Sequence, residues 1–128
     1  MDTSFARLWL RAEGLIALVL AAAFYRHFQF PWLWFGILFL VPDLSMIGYA
    51  AGPRAGARCY NVAHSYLLPG IVVALSMGLG NNLPFSRDLL GIALIWCAHI
   101  GFDRALGYGL KSADGFQLTH LGRIGRER

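Results

Sequence analysis

Apolar residues run along this chain in four long blocks, roughly Phe5 to Tyr25, Phe30 to Ala51, Cys59 to Leu79 and Asp88 to Gly107. The connections between them, "RHFQ", "GPRAGAR" and "GNNLPFSR", are short and polar. Each block is close to the roughly 20 residues that carry an α-helix across about 30 Å of hydrocarbon. The pattern predicts an all-α protein, an integral membrane bundle of four antiparallel transmembrane helices, because short connections favour antiparallel neighbours. Residues 1–107 are the four-helix transmembrane domain, and residues 108–128 are a basic, Gly-rich cytoplasmic tail with the option of folding under the bundle. The first block also has the outline of a secretory signal, with Arg7 and Arg11 ahead of an apolar stretch ending in "AAA". Glu13, just before that stretch, argues for a retained span.

Inside the blocks the uninterrupted apolar runs are shorter: Gly14 to Tyr25, Phe30 to Pro42, Leu67 to Leu79 and Leu89 to Ala98. Each span is completed by a stretch that carries polar groups. These are Arg11 and Glu13; Asp43 and Ser45; Tyr60, Asn61, His64 and Ser65; and His99, Asp103 and Arg104. Basic residues near span ends set orientation. With the amino terminus inside, the inner side holds Arg7, Arg11, Arg54, Arg58, Arg104, Lys111, Arg123, Arg126 and Arg128, against Arg26 and Arg87 outside, nine to two. Both termini are therefore expected in the cytoplasm, with the chain multi-pass in a bacterial inner membrane. In that orientation every polar stretch falls at one depth, in the cytoplasmic leaflet.

Small residues recur at four-residue spacing, Ala93, Cys97, Gly101, Ala105 and Gly109 in the fourth block, Gly48, Gly52 and Gly56 in the second and the connection after it, Gly70, Ala74 and Gly78 in the third. Such stripes let helices approach closely. Pro42 and Pro69 are expected to kink their helices, and Pro42 immediately precedes Asp43. Composition agrees with the pattern: 57% hydrophobic and 14% charged residues exclude an ordinary soluble domain. The net charge of +4 belongs mostly to the inner rim, which suits anionic lipid headgroups; no nucleic-acid partner is expected. Cys59 and Cys97 read as packing residues.

Ionisable groups inside a membrane cost about 2.5–3.5 kcal/mol each on insertion scales, so several at one depth call for pairing, hydration or a metal. Asp43, His64, His99 and Asp103 are the candidate metal ligands, with His120 from the tail as a further one. The i,i+4 spacing puts His99 and Asp103 on one helix face. Glu13 is the candidate catalytic residue, as a bridging ligand or as the general base that activates water. Arg58, Arg104 and Lys111 would hold an anionic headgroup, while Asn61 is either part of that contact or interhelical hydrogen-bond glue. The expected cofactor is a divalent metal, zinc, iron or manganese, and no organic cofactor is evident. The leading functional reading is a metal-dependent membrane enzyme, a hydrolase or oxidase, acting on a lipid or other amphiphile from the bilayer. The alternatives are a proton- or cation-coupled small transporter working as a homodimer, and a structural or partner-binding protein whose charges are register-setting ion pairs.

The motifs "RAEG", "PDLSMIGYAAGPRAGA", "YNVAHSY" and "AHIGFDRALGYGLK", closing with "GFQLTHLGRIG", resemble a family of small bacterial four-helix integral membrane proteins known as a domain of unknown function. The resemblance runs from about Arg11 to Gly125; it implies the membrane fold and supplies no activity. Two likenesses are looser. Small multidrug-resistance transporters are similar in helix number and in a glutamate on the first helix, where Glu13 stands, but have balanced loop charge and one essential carboxylate. Membrane zinc hydrolases of the ceramidase and adiponectin-receptor type are similar in their chemistry, with histidines, an aspartate and a serine near the cytoplasmic face, on seven helices and different motifs.

Overall fold

The computed structural model describes residues 3–80, 84–109, 111–112, 115–119 and 122–123, the last three stretches by their backbone alone. Among the described residues, four helical stretches are long and apolar enough to cross a membrane: Ser4–His27, Trp32–Ala51, Pro53–Leu79 and Ser86–Leu106. Their outward faces are greasy: Leu15, Ile16, Val19 and Leu20 on the first are each more than half exposed. Such a surface suits hydrocarbon, where the backbone must satisfy its hydrogen bonds within helices.

Helix α1 (Thr3–His27) is continuous and ends in a turn in which Gln29 takes a positive φ of 59°. The second span is not one helix. It opens as α2 (Trp32–Leu38) and continues as a 3-10 helix over Val41–Ala51. Pro42 is the reason: it has no N–H to donate, so it sits at the start of the second segment, where no donor is needed, and the expected kink becomes a change of helix type. The third span is also divided, into α3 (Pro53–Ala63) and α4 (Leu67–Leu79). Pro69 lies in the first turn of α4 rather than bending a longer helix, and the interruption falls before it, at His64, Ser65 and Tyr66. Helix α5 (Ser86–Leu106) is unbroken and stops at Gly107, whose φ of 95° is the left-handed conformation glycine adopts readily.

Helix α5 is the centre of the packing, against α1 on one side and α4 on another. Gly14 and Gly101 make the first contact possible. A Cβ on Gly101 would lie 2.6 Å from the Gly14 carbonyl oxygen and 2.7 Å from the Leu18 amide nitrogen. The 3-10 helix packs on α3 in the same way, with Gly48 against Cys59 and Gly56 under the Tyr49 ring. The small-residue stripe of α4 differs: a Cβ at Gly70 or Gly78 meets nothing within 4 Å, so close approach there is not used within this chain. The apolar core gathers Tyr25, Phe30, Leu94 and Ile95. The Tyr25 hydroxyl donates to the Pro31 carbonyl, which fixes the turn between α1 and α2.

After the helices, residues of the tail form β1 (Lys111–Ser112), β2 (Gly115–Thr119) and β3 (Gly122–Arg123), a small antiparallel sheet in the order β1-β2-β3. β1 and β2 lie against α3. Alternation in so short and Gly-rich a stretch is too weak to announce strands in the sequence.

The glycine contacts give a direct test. Gly101→Ala drives a methyl group into backbone and should destabilise the protein by about 1–3 kcal/mol, read as a lower thermal midpoint in detergent. Gly70→Ala, with open space around it, should leave the midpoint unchanged or raise it slightly.

Candidate metal centre

Three of the four spans meet at one group of side chains. Asp43 stands in the first turn of the 3-10 helix, behind Pro42, with its amide bonded to the Leu40 carbonyl at 3.0 Å. His64 occupies the interruption between α3 and α4. There a helix break frees carbonyl groups that have no water to turn to. Two donors from α5 satisfy them: Trp96 Nε1 bonds the Ala63 carbonyl at 2.5 Å, and an Arg104 guanidinium nitrogen bonds the His64 carbonyl at 3.1 Å. The Ser65 hydroxyl accepts the Leu67 amide at 3.1 Å and starts the next helix. His99 and Asp103 come from α5 itself, one turn apart.

The distances within the group are close to uniform. His64 Nε2 is 3.0 Å from Asp43 Oδ1 and 3.3 Å from Asp103 Oδ2. His99 Nε2 is 3.1 Å from Asp43 Oδ1 and 3.2 Å from Asp103 Oδ2, and the two Nε2 atoms are 3.1 Å apart. All four donor atoms lie within 4.8 Å of one another. A tetrahedral ion with bonds of about 2.0 Å has ligand-to-ligand edges of about 3.3 Å. Five of the six separations match such an edge, and the sixth, between the Asp43 and Asp103 carboxylates, lies within 4.8 Å. The group is also sheltered, with side-chain exposures of 3% for His64, 1% for His99, 15% for Asp103 and 37% for Asp43.

Hydrogen-bond accounting sharpens this. His64 Nδ1 lies 2.9 Å from the Tyr60 carbonyl oxygen, which can only accept, so Nδ1 carries the proton and donates. A neutral His64 then presents a bare lone pair on Nε2 to two carboxylate oxygens and another imidazole nitrogen. Lone pairs turned on one another at hydrogen-bond distance repel unless a metal ion or a proton lies between them. An imidazole whose far nitrogen donates to a backbone carbonyl is the usual outer arrangement of a metal-bound histidine. His99 Nδ1 is buried and has no hydrogen-bond partner among the described residues. The four residues are thus a buried group of the kind that can hold a metal ion.

Of the residues singled out in the sequence, Asp43, His64, His99 and Asp103 are brought together. Glu13 is exposed on α1 and stands outside the group. His120 lies outside the described residues. Arg104 borders the centre through the His64 carbonyl; Arg58 is exposed on α3, Asn61 is half-buried on the same helix, and the backbone of Lys111 opens β1. The structure adds residues that sequence reading left out. The Tyr60 ring stacks on the His64 ring at 3.7 Å with 9° between planes, and Phe39 meets His99 edge-on at 5.2 Å. Tyr60 was findable, since it precedes His64 by one helical turn; Trp96 and Phe39 carried no signal beyond hydrophobicity.

The family model for a domain of unknown function, DUF4260, matches residues 7–124, nearly the whole chain and all four donor positions. The chain belongs to the DUF4260 family. That membership agrees with the resemblance carried by its motifs and adds no activity. Searches of the curated proteins and of the solved structures find no match to this DUF4260 chain.

The break at His64 depends on its clamps. Trp96→Phe keeps an aromatic ring, though a smaller one, and removes the donor to the Ala63 carbonyl, so it should lower stability in detergent by about 1–3 kcal/mol, measured by thermal unfolding.

Proposed function

We propose that this DUF4260 protein is an intramembrane metal-dependent enzyme, with a zinc ion held by Asp43, His64, His99 and Asp103 and an amphiphile as substrate. The observation that carries the reading is the close approach of four donor atoms from three spans, five of whose separations are 3.0–3.3 Å. Two imidazoles and two carboxylates are ligand types that zinc accepts, with iron and manganese as competitors. A divalent ion there polarises a carbonyl or phosphoryl oxygen and activates water near neutrality.

The ligands divide by exposure. His64, His99 and Asp103 are the buried base of the site, and Asp43, 37% exposed, is the donor on the accessible side. A catalytic centre needs one exchangeable position, and Asp43 is the donor placed to yield it. The nine-to-two bias of basic residues supports spans that alternate in direction with both termini in the cytoplasm of a bacterial inner membrane, and so a site in the cytoplasmic leaflet. Arg104, beside the centre, is the cation best placed to meet an anionic headgroup.

A second reading rests on one specific observation: the same four groups also stay together if a proton on an imidazole replaces the ion. In that case the cluster is a proton-holding station of a small coupled transporter, built as a dimer.

Elemental analysis of the detergent-purified protein separates the two. We expect one zinc per chain in the wild type and less than a tenth of that in His64→Ala and His99→Ala, with the content retained in Glu13→Gln. Added zinc at about 100 times its Kd should stabilise the wild type by about 2.7 kcal/mol and leave the His99→Ala midpoint unmoved. A metal-free wild type that gains nothing from zinc, iron or manganese would end the enzymatic reading and turn attention to proton flux in vesicles.

A further inference from the structure

The second span packs loosely against α5, in contrast to the close seat of its 3-10 helix on α3. None of the residues of α2 or of the 3-10 helix is buried, and α2 has few neighbours on α5. Between that span and α5 lie two cavities, of about 380 Å³ and about 350 Å³. Leu38, Ile92 and Ile95 line both, so the cavities are one groove. At one end the groove passes Asp88 and Gly91. At the other it is walled by Pro42 and Ala63, the residues immediately before Asp43 and His64. That end is therefore one residue along the chain from two of the four proposed ligands, none of which lines the groove itself.

From Asp88 to Trp96, the outermost α5 residues that line it, the groove covers about 12 Å at about 1.5 Å per residue, the greater part of one leaflet of the ~30 Å hydrocarbon core. Towards the metal centre the lining is almost wholly apolar, with one exception, Ser45. Its hydroxyl is buried, has no hydrogen-bond partner among the described residues, and lies two residues from Asp43 on the same 3-10 helix. An orphaned hydroxyl is costly in an apolar cavity and is satisfied by a ligand oxygen.

We propose that this groove binds the single acyl chain of a fatty acyl ester drawn from the surrounding leaflet. The chain lies along Ile92 and Ile95, and the ester carbonyl accepts a hydrogen bond from the Ser45 hydroxyl. The proposal sets the ester at Ser45, two positions along the chain from Asp43, the exposed member of the metal group. It rests on the metal-dependent reading for its consequence, since it names the substrate class, but not for its binding. A bilayer supplies such chains at high local concentration, and a groove open along its length to lipid admits them without a passage through water.

The test uses the full-length protein in phosphatidylglycerol and phosphatidylethanolamine vesicles, with a lysophospholipid whose acyl chain carries a diazirine. After irradiation, adducts are mapped by mass spectrometry. We expect labelling of Leu38, Val41 and Ile92 that falls at least tenfold with excess unlabelled lysophospholipid, while labelling of Leu15 and Val19 on the lipid-facing side of α1 falls in proportion to dilution only. Ile92→Phe, which narrows the groove at a half-exposed position, should remove the competed labelling and keep the metal content of the wild type. Ser45→Ala should weaken competition by the ester at least fivefold and leave competition by a simple alkane chain unchanged. Labelling spread evenly over groove and exterior, or labelling that excess lipid does not compete, would overturn the proposal. Competed labelling in a chain without metal would sustain the groove and sink the enzymatic reading.

Discussion

Charge repulsion without solvent is the constraint that organises this protein. Two imidazole nitrogens 3.1 Å apart face two carboxylates inside a chain whose exterior is built for hydrocarbon. Such a group holds together when a metal ion or a proton sits among the four side chains, and the surrounding structure keeps them in register. The break between α3 and α4 turns His64 inward; Trp96 and Arg104 make that break tolerable by bonding its freed carbonyls; Tyr60 fixes the imidazole by stacking and by accepting from Nδ1. Irregular backbone in a membrane occurs where it lines a cavity or is sealed by protein, and here it does both.

The tight contacts lie where precision is needed. Gly14 against Gly101 brings α1 onto α5, and Gly48 and Gly56 bring the 3-10 helix onto α3, so the elements carrying Asp43 and His64 are seated with little slack against each other. The loose contact, between α2 and α5, is equally informative. It leaves the groove that runs between the second span and α5.

Much of this was legible in the sequence. Span number followed from apolar block length, and the four donors followed from the depth at which each block turned polar, a signal that survives without knowing any contact. What escaped was local. A proline in an apolar run permits a kink, a change of helix type or a fresh start, and the choice at Pro42 and Pro69 depends on neighbours that only the fold supplies. Glu13, next to the Gly14 contact with α5, is exposed on α1 and stands outside the group of four. The small strands after α5 carry too few residues for any periodicity to emerge.

The donors come from the second, third and fourth spans, and the first contributes none. During synthesis at the membrane, spans enter in chain order, so the ligand set stays incomplete until the fourth has been delivered. Asp43 and His64 must wait in the bilayer for His99 and Asp103. At the proposed metal site, binding of the ion would be a late checkpoint on biogenesis, and any chain truncated before α5 would be left with a carboxylate and an imidazole lacking their α5 partners, a state that quality-control proteases can recognise.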